Sequence, residues 1–536
     1  MVTSPGTRAS LDRSRPGTYQ PLSSEEGREG MEVREADRQP VDHMGPLLDK
    51  DDREEEDEGL VEEGLVKPLL VLQDEHSTAL KRAAASPSWL RSAIITLLLT
   101  IMSLLSLLTF FLFSSSLRSG VLGRPSHPAT KGPIKNVVVL VEENLSFDVF
   151  AGGLTYNKKI DGLVDREYCN PANVTDAYSK RVCAKPIAKN VAPDDPDHSI
   201  TGGNQQVYST YHPNAKNDMP DMQGFVSEQI AAYGLDADLT RAAEVINYYT
   251  PDMVPVFNAM AENFVLFDRW FAAVPGPTNP NRAYLTSGTS HGHGKNDRDF
   301  DTSSLPQESI FEQLDKADIS WMNYSNTTNF NPDSMFYNWT ASSGKGDTNV
   351  KRIDQFYKDA KDGNLPQFTW INPECCSYTS FHPPSPINMG ENFIKSVYEA
   401  LRGSPQWKDT LFILTFDEHG GFADHVAPPE NVPAGDDLTY TEKARDGKES
   451  TFHFDRLGIR VPTVLMSPWV GKGVIQNSPK DQPNEFTHTS ILKYVSELWG
   501  LDPLTPRVEW SPSFKSLITD TYRDDTPKKL PSAAGY

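Results

Sequence analysis

The sequence predicts an α/β layer fold that follows a disordered N-terminal tail and one transmembrane helix. Short apolar runs rich in β-branched and aromatic residues recur after residue 135, with helix-like stretches between them, the alternation of an α/β protein. An uncharged apolar stretch at 93–113 is long enough to cross a bilayer core of roughly 30 Å. Residues 1–90 are rich in charged residues, Pro, Gly and Ser and nearly free of aromatics, a composition typical of disorder.

The N-terminal part divides into a tail (1–90), a transmembrane signal-anchor helix (91–114) and a stem (115–134). The tail contains an acidic run from Asp49 to Glu63, and the whole chain has a net charge of −22. So acidic a protein is not expected to bind nucleic acid. The long polar segment before the apolar stretch argues against a cleaved signal peptide. The anchor helix makes the membrane an expected partner.

Processing signals indicate the orientation. All cysteines follow the predicted span, as do four N-glycosylation sequons, which favours an oxidising, glycosylating compartment for the large domain. We therefore expect a single-pass type II membrane protein of the secretory pathway, with the tail cytosolic and the large domain lumenal or extracellular. The short loop between Cys169 and Cys183 predicts a disulfide, whereas Cys375 and Cys376 are either paired with each other or free. The sequon asparagines are Asn173, Asn323, Asn326 and Asn338.

Residues 135–522 read as one globular domain, followed by a polar C-terminal tail at 523–536. Four apolar runs predict strands that are buried on both faces, at Asn136–Val141, Gln367–Ile371, Thr410–Phe416 and Val461–Met466. Two stretches between or after them predict helices, at Gly390–Arg402 and Thr489–Trp499. In such sheets ligands bind at the carboxyl ends of the strands, so functional residues are expected directly after the apolar runs.

Acidic side chains follow two of the predicted strands. Glu143 and Asn144 come after the first strand, and Asp417 and Glu418 come after the strand at 410–416. Carboxylate and amide oxygens that converge from separate rigid segments are the ligands of a hard cation. Acidic helix caps would give the same pattern, and the strand ends alone leave that alternative open.

The segment Pro277-Thr-Asn-Pro-Asn-Arg282 suits a nucleophile at a strand-to-helix turn. Pro280 would lie in the first helical turn, where its missing N–H costs little. The Thr278 hydroxyl would then lie near free backbone N–H groups that attract a phosphate, and Arg282 would reach the same anion. Alone, the segment is more typical of a proline turn that opens an ordinary helix. Together with the two acidic strand ends, it predicts metal-assisted attack of Thr278 on phosphorus.

Six segments resemble the phosphoesterase family that contains bacterial-type phospholipases C and related acid phosphatases, within the alkaline phosphatase superfamily. They occur in the family's order over roughly 135–505. The resemblance implies a three-layer α/β/α sandwich of the alkaline phosphatase type. The segments are ENLSFDVFAG (143–152), PTNPNRAYLTSGTSHG (277–292), FHPPSPINMGENFI (381–394), TFDEHGGFADHVAPP (415–429), DRLGIRVPTVLMSPWV (455–470) and THTSILKYVSELWGL (487–501).

The resemblance also implies roles for individual residues. Thr278 would be the nucleophile and would complete the coordination of one metal ion, and Arg282 would stabilise the phosphate charge. The remaining metal ligands would be Glu143, Asn144, Asp417 and Glu418. Three histidines would bind phosphate oxygens or protonate the leaving alkoxide, namely His198, His382 and His425. His488 follows Thr487, where the family usually has Asp, so the pattern gives no clear role to this histidine.

The residues at the predicted site also bear on the enzyme class, the metal and the substrate. A sulfatase needs Cys or Ser where this chain has Thr278, which excludes that mechanism. Two-zinc relatives usually have Asp-His where this chain has Asp417-Glu418, so Ca²⁺, Mg²⁺ or Mn²⁺ is expected rather than Zn²⁺. Threonine as nucleophile favours a phospholipase C-like phosphodiesterase acting on a phospholipid or another phosphate ester. The alternatives are an acid phosphatase and a non-catalytic glycosylated binding ectodomain. Loops within 200–250 and 320–360 are expected to select the head group.

Overall fold

The computed structural model describes residues 132–214, 217–326, 331–375, 379–480 and 482–536. None of the helices in these ranges is both long enough and apolar enough to span a membrane. The predicted tail (1–90), the predicted transmembrane helix (91–114) and most of the stem (115–134) lie outside the described residues, so these assignments stay predictions.

Eight strands form the central sheet, and three two-stranded sheets lie beside it in the described ranges. The strands are β1 (Asn136–Glu142), β2 (Cys169–Pro171), β3 (Arg181–Cys183), β4 (Val265–Phe267), β5 (Trp270–Phe271), β6 (Trp321–Ser325), β7 (Val350–Arg352), β8 (Phe368–Asn372), β9 (Thr410–Phe416), β10 (Tyr440–Lys443), β11 (Glu449–Phe452), β12 (Thr463–Met466), β13 (Val474–Gln476) and β14 (Phe486–Thr487). The order in the central sheet is β13-β4-β12-β9-β1-β8-β6-β7.

The four strands predicted from the sequence are the four adjacent central strands β12, β9, β1 and β8. Their side chains are buried along their whole length, as the continuous apolar runs predicted. The neighbours in the sheet are parallel except at β12, which runs antiparallel to both β9 and β4. The carboxyl end of β12 therefore points away from those of β1 and β9. The apolar run at 461–466 could not reveal this direction, because periodicity carries no information on strand polarity.

Helices connect the strands and pack on one another in several groups. They are α1 (Phe147–Phe150), α2 (Ile200–Tyr208), α3 (Phe225–Tyr233), α4 (Leu239–Ala242), α5 (Pro255–Asn263), α6 (Thr278–Ser287), α7 (Arg298–Asp301), α8 (Ile310–Lys316), α9 (Asn338–Ser342), α10 (Lys345–Asn349), α11 (Ile353–Asp362), α12 (Ile387–Gly403), α13 (Thr489–Trp499) and α14 (Pro506–Trp510). In one group α12 packs against α5 and α11, and in another α6 packs against α8 and α13. The mixed α/β architecture was predicted correctly, and the predicted helices correspond to α12 and α13.

The C-terminal segment lies against α12 and does not extend away from the domain. The hydroxyl of Tyr398 donates to the carbonyl of Pro527 at 2.6 Å, and the Leu530 N–H donates to Glu399 at 3.0 Å. The Leu530 side chain is buried. Residues 523–536, predicted as a polar tail, thus contribute to the packing of the domain.

Candidate active site

The site begins where β1 and β9 end side by side. These parallel strands are in register from Asn136 opposite Thr410 to Glu142 opposite Phe416, so the next residues of both strands meet. The Asp417 N–H donates to the carbonyl of Glu142 at 3.0 Å, and the Asn144 N–H donates to Asp417 Oδ1 at 3.4 Å. The predicted convergence of the two acidic segments is therefore present.

Two residues with positive φ allow this close approach. Asn144 has φ of 64° and Gly420 also has φ of 64°, values that favour glycine and, among the other residues, asparagine. A side chain on Gly420 would place its Cβ 2.3 Å from the carbonyl oxygen of Asn144, closer than atoms can pack. The Gly420 N–H also donates to Glu418 Oε2 at 2.6 Å. The Gly that follows Asp417-Glu418-His419 is thus required by the contact between the two strand ends.

Thr278 is the first residue of α6, after the extended backbone of Pro277. Pro280 lies in the first helical turn, as predicted. Pro277 cannot cap this helix with a side-chain acceptor, and the Asn279 N–H is bound by Asn296 Oδ1 at 2.8 Å. Thr278 lies at the positive end of α6, a position that favours an anion. The turn offers fewer free N–H groups than predicted, because those of Asn279 and Asn281 are bound and Pro280 has none.

Asn281 holds the turn in place, a role that the sequence reasoning missed. Its Oδ1 accepts from the Val274 N–H at 3.0 Å. Its Nδ2 donates to the carbonyl oxygens of Val274, Gly276 and Pro277 at 3.1, 2.9 and 3.2 Å. The side chain is fully buried. The signal was present in the motif 277–282, where Asn281 stands between the proline and the arginine.

Arg282, one turn further along α6, is surrounded by carboxylates. Its Nε donates to Asp417 Oδ2 at 2.9 Å, its Nη2 to Glu143 Oε1 at 3.1 Å and its Nη1 to Asp333 Oδ2 at 3.3 Å. The arginine side chain is 3% exposed. The sequence reasoning gave Arg282 to the phosphate and missed Asp333. In the structure most of the guanidinium donors bind carboxylates, so Arg282 first neutralises the two strand ends.

The predicted ligand set contains buried oxygens that lack a donor. Burial, opposed by Arg282, raises the pKa of Glu143 to about 7. Burial and the neighbouring Asp417 raise the pKa of Glu418 well above its ordinary value. Three buried oxygens of this ligand set have no hydrogen-bond partner among the described residues: Glu143 Oε2, Asn144 Oδ1 and Glu418 Oε1. Unpaired buried acceptors are costly, and a hard cation is a species that such oxygens can bind.

The carboxylates of Glu143, Asp417 and Glu418 do not form a close cluster of ligand atoms. Among the described residues, four groups of acidic, histidine or cysteine side chains have ligand atoms within 4.8 Å of one another, and Glu143, Asp417 and Glu418 belong to none of them. Arg282 lies between Glu143 and Asp417 and binds both. Like charges in a buried site repel, and Arg282 offsets this repulsion between Glu143 and Asp417. A divalent cation would supply the charge that draws them together.

A cavity of about 300 Å³ opens beside Thr278 and is also bordered by Glu143, Arg282 and His382. Asn144, Asp417 and Glu418 are fully buried and do not line it. Much of the remaining wall is polar, with the side chains of Asn279, Asn296, Asp297, Asp301, Asn331, Asp333 and Asn372. Among the lining residues, the predicted loop range 320–360 contributes 331–336, and the range 200–250 contributes none.

Comparison with known proteins assigns the chain to a family. A family model described as Phosphoesterase family matches residues 134–502. The chain belongs to the Phosphoesterase family. It is 36% identical over 419 residues to non-specific phospholipase C6 of Arabidopsis thaliana, with 75% of this chain and 76% of that protein covered. The phosphoesterase is also 28% identical over 429 residues to non-hemolytic phospholipase C of Pseudomonas aeruginosa, covering 74% of this chain and 58% of that protein. It is a hydrolase that acts on phosphoester bonds.

Solved structures give distant matches. A protein of the alkaline phosphatase superfamily from Vibrio parahaemolyticus has 10% sequence identity and a TM-score of 0.33, with 72% of this phosphoesterase and 74% of that chain covered. Murine ectonucleotide pyrophosphatase/phosphodiesterase 5 has 11% identity and a TM-score of 0.30, covering 50% and 95% of the two chains. At these TM-scores, the assignment of the phosphoesterase rests on the family match and the relatives above.

Two of the three predicted histidines lie beside the metal-ligand candidates of the phosphoesterase. The His198 and His382 rings are 6.2 Å apart in an edge-to-face arrangement. His382 borders the cavity, and both histidines lie within 4 Å of a carboxylate oxygen of Asp195. The structure therefore brings together His198 and His382 from the distant segments 194–199 and 381–384.

His425 belongs to a different cluster. Its Nδ1 lies 2.6 Å from Asp148 Oδ2 and its Nε2 lies 3.1 Å from Asp161 Oδ1. Arg460 donates to both Asp148 and Asp424 at 2.9 Å. Burial opposes protonation, but the bonds to the two aspartates outweigh it and raise the pKa of His425 to about 9. His425 does not border the cavity, and its neighbours make it part of an ion-pair network; the phosphate contact expected for it stays a prediction.

His488 lies behind the site and supports it. Its Nε2 is 2.6 Å from the carbonyl oxygen of Asp417, and its Nδ1 is 3.3 Å from Trp270 Nε1. A carbonyl only accepts and an indole only donates, so Nε2 carries the hydrogen and Nδ1 accepts. Burial lowers the pKa of His488 to about 3. His488, to which the sequence pattern gave no clear role, is thus a neutral side chain that supports the backbone of Asp417.

The predicted disulfide is present, and the sequon asparagines differ in their exposure to solvent. Cys169 and Cys183 form the predicted disulfide, opposite each other in the β2–β3 pair. Asn173 and Asn338 are accessible at the surface. Asn323 is fully buried in β6, and its Nδ2 donates to Asn372 Oδ1 at 2.8 Å. A glycan on Asn323 would break this contact and has no space in the folded domain, so this sequon is not proposed as a glycosylation site.

Proposed function

We propose that this phosphoesterase is a phospholipase C-like phosphodiesterase that uses Thr278 as its nucleophile and one hard divalent cation. The single observation that carries the proposal is the meeting of the N-terminus of α6 with the two acidic strand ends. Thr278, Glu143, Arg282 and His382 border one cavity. The relatives with 36% identity over three quarters of the chain are named phospholipases C, which favours a lipid diester as substrate.

The residues of the site fit a cation. Glu143, Asn144, Asp417 and Glu418 would hold it, with the Thr278 hydroxyl as a further ligand, and three of the buried oxygens lack another partner. When bound, the ion would lower the pKa of the threonine hydroxyl and offset charge on the phosphate oxygens. All of these donors are oxygens, which favours Ca²⁺, Mg²⁺ or Mn²⁺.

The reaction would proceed in two displacements. Thr278 Oγ gives its proton to Nε2 of His382 or His198 and attacks phosphorus, and the bond from phosphorus to the glycerol oxygen breaks. The leaving alkoxide takes a proton from His382 or His198. A phosphothreonine diester that carries the head group remains. Water then attacks phosphorus, which releases the phosphorylated head group and returns a proton to Thr278.

The charges around the cavity favour these two reaction steps. The N-terminus of α6 places its positive end at Thr278, where the phosphate would bind. Arg282 neutralises Glu143 and Asp417, which limits their repulsion of an anionic substrate. The asparagine and aspartate side chains on the cavity wall suit a hydrophilic head group. The membrane anchor predicted at 91–114 would keep this cavity near lipid head groups.

The test uses the full-length protein with phosphatidylcholine vesicles, bis(p-nitrophenyl) phosphate and p-nitrophenyl phosphate. Thr278→Ala should lower turnover of the preferred substrate at least roughly a thousandfold, whereas Thr278→Ser should retain part of it. Thr441→Ala, at an exposed threonine of β10, is the matched control and should leave the rate unchanged. Substantial turnover by Thr278→Ala would remove Thr278 as nucleophile. A much faster rate on the monoester would favour an acid phosphatase instead.

A further inference from the structure

Asp195 is the common neighbour of three predicted site residues that come from separate segments. Its carboxylate accepts a hydrogen bond from Asn144 Nδ2 at 3.3 Å. One of its oxygens is 3.9 Å from His198 Nδ1, and the other is 3.8 Å from His382 Nε2. Asp195 lies in the loop before α2, and no pattern in the sequence singled it out.

The bond to Asn144 decides which end of that amide is available to a ligand. An asparagine side chain has a donor end and an acceptor end. The donor end faces Asp195, whereas Asn144 Oδ1 is buried and has no hydrogen-bond partner among the described residues. The Asn144 backbone is itself held by the bond of its N–H to Asp417 Oδ1 at 3.4 Å. An acceptor at Asp195 therefore orients the unpaired oxygen of Asn144 for a cation.

The two histidines are held by backbone carbonyls. His198 Nδ1 is 2.7 Å from the carbonyl oxygen of Pro196, and His382 Nδ1 is 2.6 Å from that of Pro383. Because a carbonyl only accepts, both Nδ1 atoms carry a hydrogen. Nε2 is then the atom of each ring that exchanges a proton or a hydrogen bond with a substrate. The Nε2 atom of His382 faces Asp195, and the His382 side chain borders the cavity.

We propose that Asp195 is a positioning residue that couples the cation site to the two histidines. It orients Asn144 through a hydrogen bond and stands between His198 and His382 as their shared anionic neighbour. The proposal rests on the proposed function, because Asn144 is taken there as a ligand of the cation. The carboxylate is partly exposed, at 43% of its side-chain surface, so its replacement removes these interactions without opening a cavity in the core.

The test compares three variants of the full-length protein. Each is treated with a chelator and then titrated with Mn²⁺, and electron paramagnetic resonance measures the Kd for Mn²⁺. Asp195→Ala should weaken Mn²⁺ binding roughly 10-fold to 100-fold, the usual cost of losing a partner of a metal ligand. Asp195→Asn keeps an acceptor for Asn144 and should recover most of this affinity. Its kcat on bis(p-nitrophenyl) phosphate should stay below wild type, because the anionic neighbour of the histidines is lost.

Asp194→Ala is the matched control. Asp194 is adjacent in sequence, but its carboxylate binds Gln229 at 3.1 Å and Arg241. This variant should have a lower melting temperature and an unchanged Kd for Mn²⁺. A purely structural role of Asp195 would give the same result in Asp195→Ala, so the Kd separates the two roles.

The outcomes that overturn the proposal differ from those that overturn the function. Wild-type Mn²⁺ affinity in Asp195→Ala would contradict the positioning role. Two Mn²⁺ per protein in wild type and one in Asp195→Ala would make Asp195 a direct ligand of a second ion, which also contradicts it. A wild-type protein that binds Mn²⁺ but hydrolyses no phosphoester would refute the proposed function alone.

Discussion

Arg282 and Asp417 form a buried ion pair between α6 and the end of β9, with Nε and Oδ2 2.9 Å apart and the carboxylate fully buried. The same arginine binds Glu143 at the end of β1. One guanidinium on α6 therefore joins both acidic segments. The pair links the position of Thr278 to that of the proposed ligands, so the two parts of the site form together.

Replacement of Arg282 should be costly for the fold as well as for activity. Arg282→Ala leaves three buried carboxylates without their counter-charge, and a loss of about 3–5 kcal/mol in the free energy of unfolding is expected. Denaturant titration measures it. Arg352→Ala is the control, because Arg352 and its partner Asp354 are both exposed, and it should change stability by less than about 1 kcal/mol. An Arg282→Ala protein as stable as wild type would contradict the central role given to this ion pair.

His425 should make stability depend on pH. Its pKa is raised from 6.5 to about 9 in the folded protein, so its stabilising effect is complete below pH 6.5 and is lost as the pH rises through about 9. His425→Gln should cost on the order of 2 kcal/mol at pH 6, after allowance for solvent screening, and much less at pH 10. Denaturant titrations at both pH values test it, with His453→Gln at an exposed histidine as control. An equal cost at both pH values would show that His425 is not protonated in this network.

Asn281 should affect turnover without contacting the substrate. Asn281→Ala removes its bonds to the backbone at 274–277 and leaves their buried polar groups unpaired, a loss of roughly 2–3 kcal/mol. The kcat should fall at least about tenfold, because the position of Thr278 depends on this turn. Asn263→Ala, at the end of α5, is the control and should retain wild-type kcat. Unchanged kcat in a destabilised Asn281→Ala protein would limit Asn281 to a purely structural role.

His488 should behave as a support and not as a metal ligand. His488→Leu leaves the Asp417 carbonyl and the Trp270 N–H without their partner, with an expected loss of about 2–3 kcal/mol in stability. The number of Mn²⁺ ions bound should not change. His488→Gln retains a donor and an acceptor and should recover part of the stability. A lower metal stoichiometry in a folded His488→Leu protein would instead assign the histidine to a metal.

The central strands and the acidic residues that follow β1 and β9 were predictable because their signals are local. A strand buried on both faces is a continuous apolar run, and Glu143, Asn144, Asp417 and Glu418 stand directly after two such runs. The turn at Thr278 was predictable because proline has a specific place in a first helical turn. These predictions needed only neighbours along the chain.

The partners of charged side chains were not predictable in this way. The sequence did not reveal that Arg282, predicted to stabilise a phosphate, also binds three carboxylates, one of which is Asp333, 51 residues away along the chain. Nor did it reveal that His425 binds Asp148 and Asp161. In each case the partner comes from a distant segment, and charge alone does not indicate which of many acidic residues will be nearest.

By itself, the sequence determined the kind of fold, the family and the residue types of the site. The tertiary structure decided which of these residues act together. It placed His198 and His382 beside Asp195, moved His425 into a separate network and buried Asn323. The physical reason is that strand formation depends on local burial, whereas hydrogen bonds and ion pairs depend on distances between segments. Only the folded chain establishes those distances.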